Sequence, residues 1–159
     1  MIFELLEQNG IHYERVDHIP VYTCDEAKQH VPPLPGRELK NLFLRDGKGK
    51  KHFLLSIPAE KRVNLKALGA SLGISGLGLA SPERLKLYLG LEPGAVTLLG
   101  VVNDQSGSVE VLIDSDLSDA DAYQCHPLVN TSTISISKSG LEKFFSLTKH
   151  TPRYINIPA

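Results

Sequence analysis

Cysteine is scarce in this 159-residue chain: Cys24 and Cys125 are its only two, and no C-x-x-C spacing joins them. Two thiols cannot build a disulfide framework. Long apolar runs are missing as well, and no stretch nears the roughly 20 residues of a membrane span. The opening residues MIFELLEQNG carry acids and no basic lead, unlike a secretory signal. A cytoplasmic protein without membrane attachment is the expectation.

Several chemistries lack their signatures. The six histidines show neither H-x-H nor H-E-x-x-H spacing. Cys125 and His126 are adjacent, so on a strand they point opposite ways and cannot share one ion. No metal or other cofactor is expected. Ile74-Ser75-Gly76-Leu77-Gly78 is glycine-rich but lacks the Lys-Ser/Thr end of a phosphate loop. Backbone flexibility explains it better. No G-x-S-x-G elbow supports a Ser-His-Asp triad. A nucleophilic Cys24 or Cys125 needs a lowered pKa and exposure, whereas buried cysteine is more often a small hydrophobe.

What is present fits one domain over residues 1–159, with 42% apolar and 22% charged residues. Net charge is −1, but its distribution is uneven. Arg37 to Lys66 holds nine Lys or Arg against three acids, while Asn103 to Asp121 holds six acids and no Lys or Arg. Either an anionic ligand is steered to the basic part, or these are two solvated surfaces.

Ile2, Phe3, Leu5 and Leu6 fit one side of a short helix closed by Gly10. Ile11 to Val16 reads as a strand. Thr23-Cys24-Asp25-Glu26 is a capping-box pattern for a helix to about His30. Val31-Pro32-Pro33-Leu34-Pro35-Gly36 is a stiff loop. Asp46-Gly47-Lys48-Gly49 turns a hairpin into Lys51 to Ile57. Asn64 caps a helix over 65–72 ended by Gly73, and Ser81-Pro82 starts another ending near Gly90. Ala95 to Val102 reads as a strongly apolar strand, followed by a turn, a strand at Val109 to Ile113 and an acidic loop. Ser132 to Ser137 alternates like a half-exposed strand. A helix over 138–148 and a short strand over 154–157 complete the chain. The expected class is α+β: a mixed, mainly antiparallel sheet or barrel flanked by helices.

Leu39-Lys40-Asn41-Leu42-Phe43-Leu44 is the most informative stretch. On a strand, Lys40 shares a face with Leu42 and Leu44, and Asn41 with Leu39 and Phe43. Neither is a plain solvent face, and lysine is rarely buried unpaired. Lys40 therefore sits at a frayed strand end or lines a binding pocket. Two further clusters carry polar or permissive residues. His126 and Asn130 flank a proline-bent segment, serving a ligand or merely the turn backbone. Pro93-Gly94-Ala95-Val96-Thr97 is a simple turn or a loop whose N–H groups meet a ligand oxygen.

Together with Thr23 to Ala27, Arg45-Asp46, Asn103-Asp104 and His126-Pro127-Leu128-Val129-Asn130-Thr131, these blocks resemble the stand-alone prolyl-tRNA editing family. That family is similar to the insertion domain of bacterial prolyl-tRNA synthetase. The resemblance spans almost the whole chain and is nearest the alanine-removing subgroup. It implies hydrolysis of the ester joining a wrong amino acid to proline tRNA. Its partners would be the tRNA acceptor end, with prolyl-tRNA synthetase or an elongation factor beside it. It places catalytic roles on Lys40, Gly94 and His126. Thr23, Asn41, Ala95, Val96, Thr97 and Asn130 would bind substrate, and Lys40 and Arg45 the tRNA. Leu98 stands where the family's loop usually has proline, so a reshaped pocket wall and altered amino-acid specificity are expected. Two other classes fit the same residues: a non-catalytic module binding tRNA or a synthetase, and a hydrolase of another small acyl ester.

Overall fold

Local capping chemistry sets most helix ends in the computed structural model. It describes residues 1–159, with the side chains of Cys24 and Lys28 outside the described set. Helix α1 (Ile2–Gln8) buries Ile2 and Leu6. Gly10, at φ 69°, turns the chain so that Ile11 N–H reaches back to the Leu6 carbonyl at 2.9 Å. Helix α2 (Cys24–His30) starts where the Thr23 hydroxyl accepts from Glu26 N–H at 3.0 Å. The Glu26 carboxylate closes this cap on the N–H of Tyr22, one residue earlier than a standard capping box. Asn64, Ser81 and Ser137 cap α3 (Leu65–Leu72), α4 (Pro82–Leu89) and α5 (Lys138–Thr148) in the same way. Gly73 and Gly90 end α3 and α4 in the left-handed conformation.

Eight strands form two sheets. They are β1 (Tyr13–Asp17), β2 (Leu39–Arg45), β3 (His52–Pro58), β4 (Gly78–Leu79), β5 (Val109–Asp114), β6 (Ala122–Cys125), β7 (Ser132–Ser137) and β8 (Arg153–Ile155). The smaller sheet is antiparallel, in the order β1-β7-β6. The larger runs β4-β2-β3-β5-β8. Its first three strands are antiparallel, whereas β5 lies parallel to β3 and β8 parallel to β5. The α+β class and the β2/β3 hairpin are as expected. The barrel alternative is not: the two sheets do not close into one.

The segment expected as a strand at Ala95 to Val102 instead forms two 3-10 turns, Pro93–Ala95 and Leu98–Asn103. Leu98, Leu99, Gly100 and Val101 are all buried, and a fully buried run carries no period to tell strand from helix. Strand β7 also differs from expectation. Thr133 and Ser135 are buried like Ile134 and Ile136, because the proline loop covers their face. The Ser135 hydroxyl donates to the Pro35 carbonyl at 2.7 Å, and Gln124 Nε2 donates to the Leu34 carbonyl at 2.9 Å.

The larger sheet carries core on both faces. Leu54 packs with α1, α4, α5 and the smaller sheet, while Leu55 packs with α3 and Ile157. Both leucines are fully buried. Each contributes about 2–3 kcal/mol by leaving water. The two sheets meet at one seam, where Arg37 N–H donates to Ala122 and Gln124 N–H donates to Arg37, both at 2.9 Å. Gly36 is required just before it: at φ 101°, a Cβ there would lie 2.8 Å from the Ala122 carbonyl carbon.

Candidate active site

Strand β4 covers only the far half of β2. It pairs with Leu44 and Arg45, and Ala80 N–H reaches Phe43. The near half, Leu39 to Leu42, is left as an edge. That geometry explains two polar residues in an apolar strand: they sit where the sheet stops and a cavity begins.

The cavity measures about 710 Å³. Its walls come from the segment before α2 and its first turn, the proline loop, the start of β2, the 93–96 turn and the end of β6. Lys40, Asn41, Thr23, Gly94, Val96 and His126 all line it. These residues are separated by up to 103 positions in the chain, and the fold brings them to one hollow.

Lys40 is half-buried, and its ammonium has no hydrogen bond or ion pair among the described residues. Asn41 is tied down. Its Oδ1 accepts from the fully buried Ser56 hydroxyl at 2.8 Å, and its Nδ2 approaches the Val96 carbonyl at 3.4 Å. Asn41 thus couples the β2/β3 hairpin to the 93–97 turn.

His126 donates Nδ1–H to the Ser132 carbonyl at 3.2 Å, which leaves Nε2 as an acceptor. Burial holds its pKa below the usual histidine value, against the pull of that carbonyl, and nearby His18 pushes the same way. The ring is therefore neutral at neutral pH. His18 is fixed between the Ile19 carbonyl at 2.7 Å and the Thr133 hydroxyl at 2.8 Å. The loop carrying His126 is strained, since Leu128 sits at φ 70°. A non-glycine residue there costs about 1–2 kcal/mol.

The 93–97 turn offers fewer amides than its sequence promises. Ala95 is buried and its N–H is bonded to Glu92. Thr97 is fully buried, its hydroxyl accepting from Leu99 N–H. Neither lines the cavity. Gly94 does, and it has to be glycine: a Cβ would fall 2.7 Å from Tyr22 Cε1 and 2.9 Å from Asn130 Nδ2. Asn130, expected to bind substrate, is not itself part of the cavity wall and adjoins it through Gly94. Arg45 lies five residues from Lys40 along β2, roughly 17 Å away at strand rise, and bonds the Asp46 carbonyl. Leu98 is buried in the core, so the expected reshaping of the pocket wall does not come from its side chain.

Sequence reasoning passed over Tyr22, Glu38 and Gln124, which also line the cavity, as does Asp25 of the Thr23 to Ala27 block, to which no site role was given. Only their nearness to Thr23 and Lys40 in the chain hinted at Tyr22 and Glu38; Gln124 has no such signal. Among the described residues, no group of three or more His, Cys, Asp or Glu is placed to hold a metal. Nor is any helix long and apolar enough to cross a membrane. Cys125 is buried, and burial pushes its thiol up to about 12, which rules against a thiolate nucleophile. The same question for Cys24 lies outside the described residues.

The two-sheet α+β fold thus places a cation, a glycine turn and a neutral histidine on one cavity. The family model described as the aminoacyl-tRNA editing domain matches residues 18–144. The chain belongs to that family, and with it to the aminoacyl-tRNA deacylases, which are ester hydrolases. The prolyl-tRNA editing protein ProX of Acetoanaerobium sticklandii is 36% identical over 152 residues, covering 96% of this chain and 93% of that protein. The prolyl-tRNA synthetase associated domain-containing protein 1 of Danio rerio is 33% identical, covering 94% of this chain and 82% of its own. The fold is shared with a crystal structure provisionally described as a trans-editing enzyme for prolyl tRNA synthetase. The TM-score is 0.70 at 20% identity, over 99% of this chain and 95% of that one.

Proposed function

We propose that residues 1–159 form one editing domain that deacylates misacylated proline tRNA in trans, with alanine as the amino acid removed. One observation carries this reading: Lys40, Gly94 and His126 border one cavity with room for an alanyl group and part of a nucleoside. The names of the relatives support proline tRNA as the adaptor.

The substrate is already an activated ester, so modest catalysis suffices. Water attacks the carbonyl carbon, the carbonyl π electrons move to its oxygen, and the negative charge is met by a main-chain N–H at Gly94. Collapse of this intermediate expels the ribose oxygen, which takes up the proton lost by the water. The neutral Nε2 of His126 orients that water, and the substrate's free ribose hydroxyl assists the proton transfer. Lys40 holds the terminal phosphate by charge. Asn41 keeps the Gly94 turn in register with Lys40. Selection follows size: a pocket shaped for alanine excludes proline. The tRNA acceptor end is the partner, delivered by prolyl-tRNA synthetase or an elongation factor in the cytoplasm, and binding weakens as salt rises.

The test is a panel of proline tRNAs charged with alanine, cysteine, serine or proline. Alanine release should dominate and should fall about 100-fold in Lys40→Ala, as when an electrostatic group is removed from an active site. Equal, slow release by wild type and Lys40→Ala would leave only a binding module. Equal hydrolysis of small free esters would point to a different hydrolase.

A further inference from the structure

Tyr22 is 70% exposed, the largest exposure of any aromatic residue in the chain, yet it lines the cavity. Its main chain is held by the N–H bond to Glu26 at the cap of α2. Its ring lies against Gly94, with Cδ1 and Cε1 where a side chain at position 94 would be. An aromatic ring resting on bare main chain and open to water at a cavity rim is a stacking surface. Beside it, Asn130 Nδ2 crowds the same glycine, and no hydrogen bond of the Asn130 carboxamide occurs among the described residues. Stacked aromatic plus free carboxamide is the pairing by which proteins hold an unpaired base: the ring takes its face and the amide its edge. A carboxamide offers one donor and one acceptor side by side, which matches N7 and the exocyclic amine of adenine.

We propose that Tyr22 and Asn130 form a base-binding site at the cavity rim, specific for an unpaired terminal adenine. The inference rests on the proposed editing of a tRNA 3′ end, since it names where the last base of that end is held. It assigns the stretch 93–97 a second duty. Gly94 is kept bare so that the ring lies against the main chain within reach of the reacting ester.

Binding of an uncharged RNA hairpin with a single-stranded CCA end separates this site from catalysis. Tyr22→Ala should weaken binding about tenfold, the scale of one base–aromatic stack, while Tyr22→Phe binds as wild type does. Removing the terminal base should weaken wild type by a similar factor and leave Tyr22→Ala unaffected. Replacing the terminal adenine by a purine without the exocyclic amine should weaken wild type but not Asn130→Ala. If wild type binds the hairpin equally with and without its last base, or if Tyr22→Ala responds to base removal as wild type does, the base site is overturned. Hydrolysis of charged tRNA is a separate measurement, so its failure with base-dependent binding intact would remove only the enzymatic reading.

Discussion

At the residue scale, the site is a set of polar groups with different degrees of freedom. Among the described residues, Lys40 is unpaired, Asn41 is bonded at both ends of its amide, and His126 is bonded at one nitrogen only. This ordering gives each substitution its own signature. Lys40→Ala removes a charge that no other group among the described residues is using, so the loss should appear in turnover with thermal stability nearly unchanged. For His126, the form that accepts a hydrogen bond is the neutral one, and burial depresses its pKa. Activity should therefore stay flat through neutral pH and decline only below the ordinary histidine value of about 6.5. A pH profile of single-turnover deacylation checks this, and His126→Asn should lose that acid limb. Lys40 was legible in the sequence because an unpaired lysine in an apolar strand violates burial rules. Tyr22 was not legible, because an exposed tyrosine in a loop violates nothing until its cavity is known.

At the element scale, three helices were legible from the caps Thr23, Asn64 and Ser81, and α5 has the same kind of cap at Ser137. Thr23, Asn64, Ser81 and Ser137 each accept from the N–H three residues on. The stretch after Gly94 was not legible, since an unbroken apolar run is compatible with any fully buried element. The parallel placement of β5 beside β3 escaped for a related reason. Residues 59–108 intervene, and no local signal records which edge the chain returns to. The 93–97 turn depends on Asn41 for its position, so Asn41→Ala should affect it indirectly. It leaves the buried Ser56 hydroxyl without its acceptor, which costs about 1–3 kcal/mol in denaturant unfolding, and it lowers activity through the displaced Gly94. Thr23→Ala should cost about 1 kcal/mol by removing the α2 cap.

Across the whole molecule, the basic and acidic segments read from the sequence are not two separate surfaces. Lys61 joins them, its ammonium 2.7 Å from Asp114 and 3.2 Å from Asp116. Asp114 is fully buried, so Asp114→Ala leaves a largely buried ammonium short of its partner. Asp116 remains as a partner, so stability should fall by about 1–3 kcal/mol in urea unfolding. The core also makes stability depend on pH. His52 lies against Tyr88 with ring centroids 3.9 Å apart, and its Nε2 accepts from Arg84 at 3.1 Å. Burial first, and then the Arg84 charge, lower its pKa below the usual value. An unfolded chain binds a proton at this residue before the folded one does. Its contribution is therefore full above pH 6.5 and shrinks as pH falls through the lowered folded value. Unfolding midpoints measured at pH 7.5 and pH 5 should differ, and by less in His52→Phe.

Arg37 stitches the sheets together through its own peptide group, one hydrogen bond on either side. The hollow beside it is accordingly shared property: the larger sheet supplies Lys40, and the smaller one supplies His126. A proline at position 37 deletes one of those stitches without touching any side chain in the hollow. Such a variant would keep both cores and both groups, yet lose the fixed spacing between them. Reactivity here thus depends on a main-chain join just ahead of β2, made by a residue whose side chain stays out of the hollow.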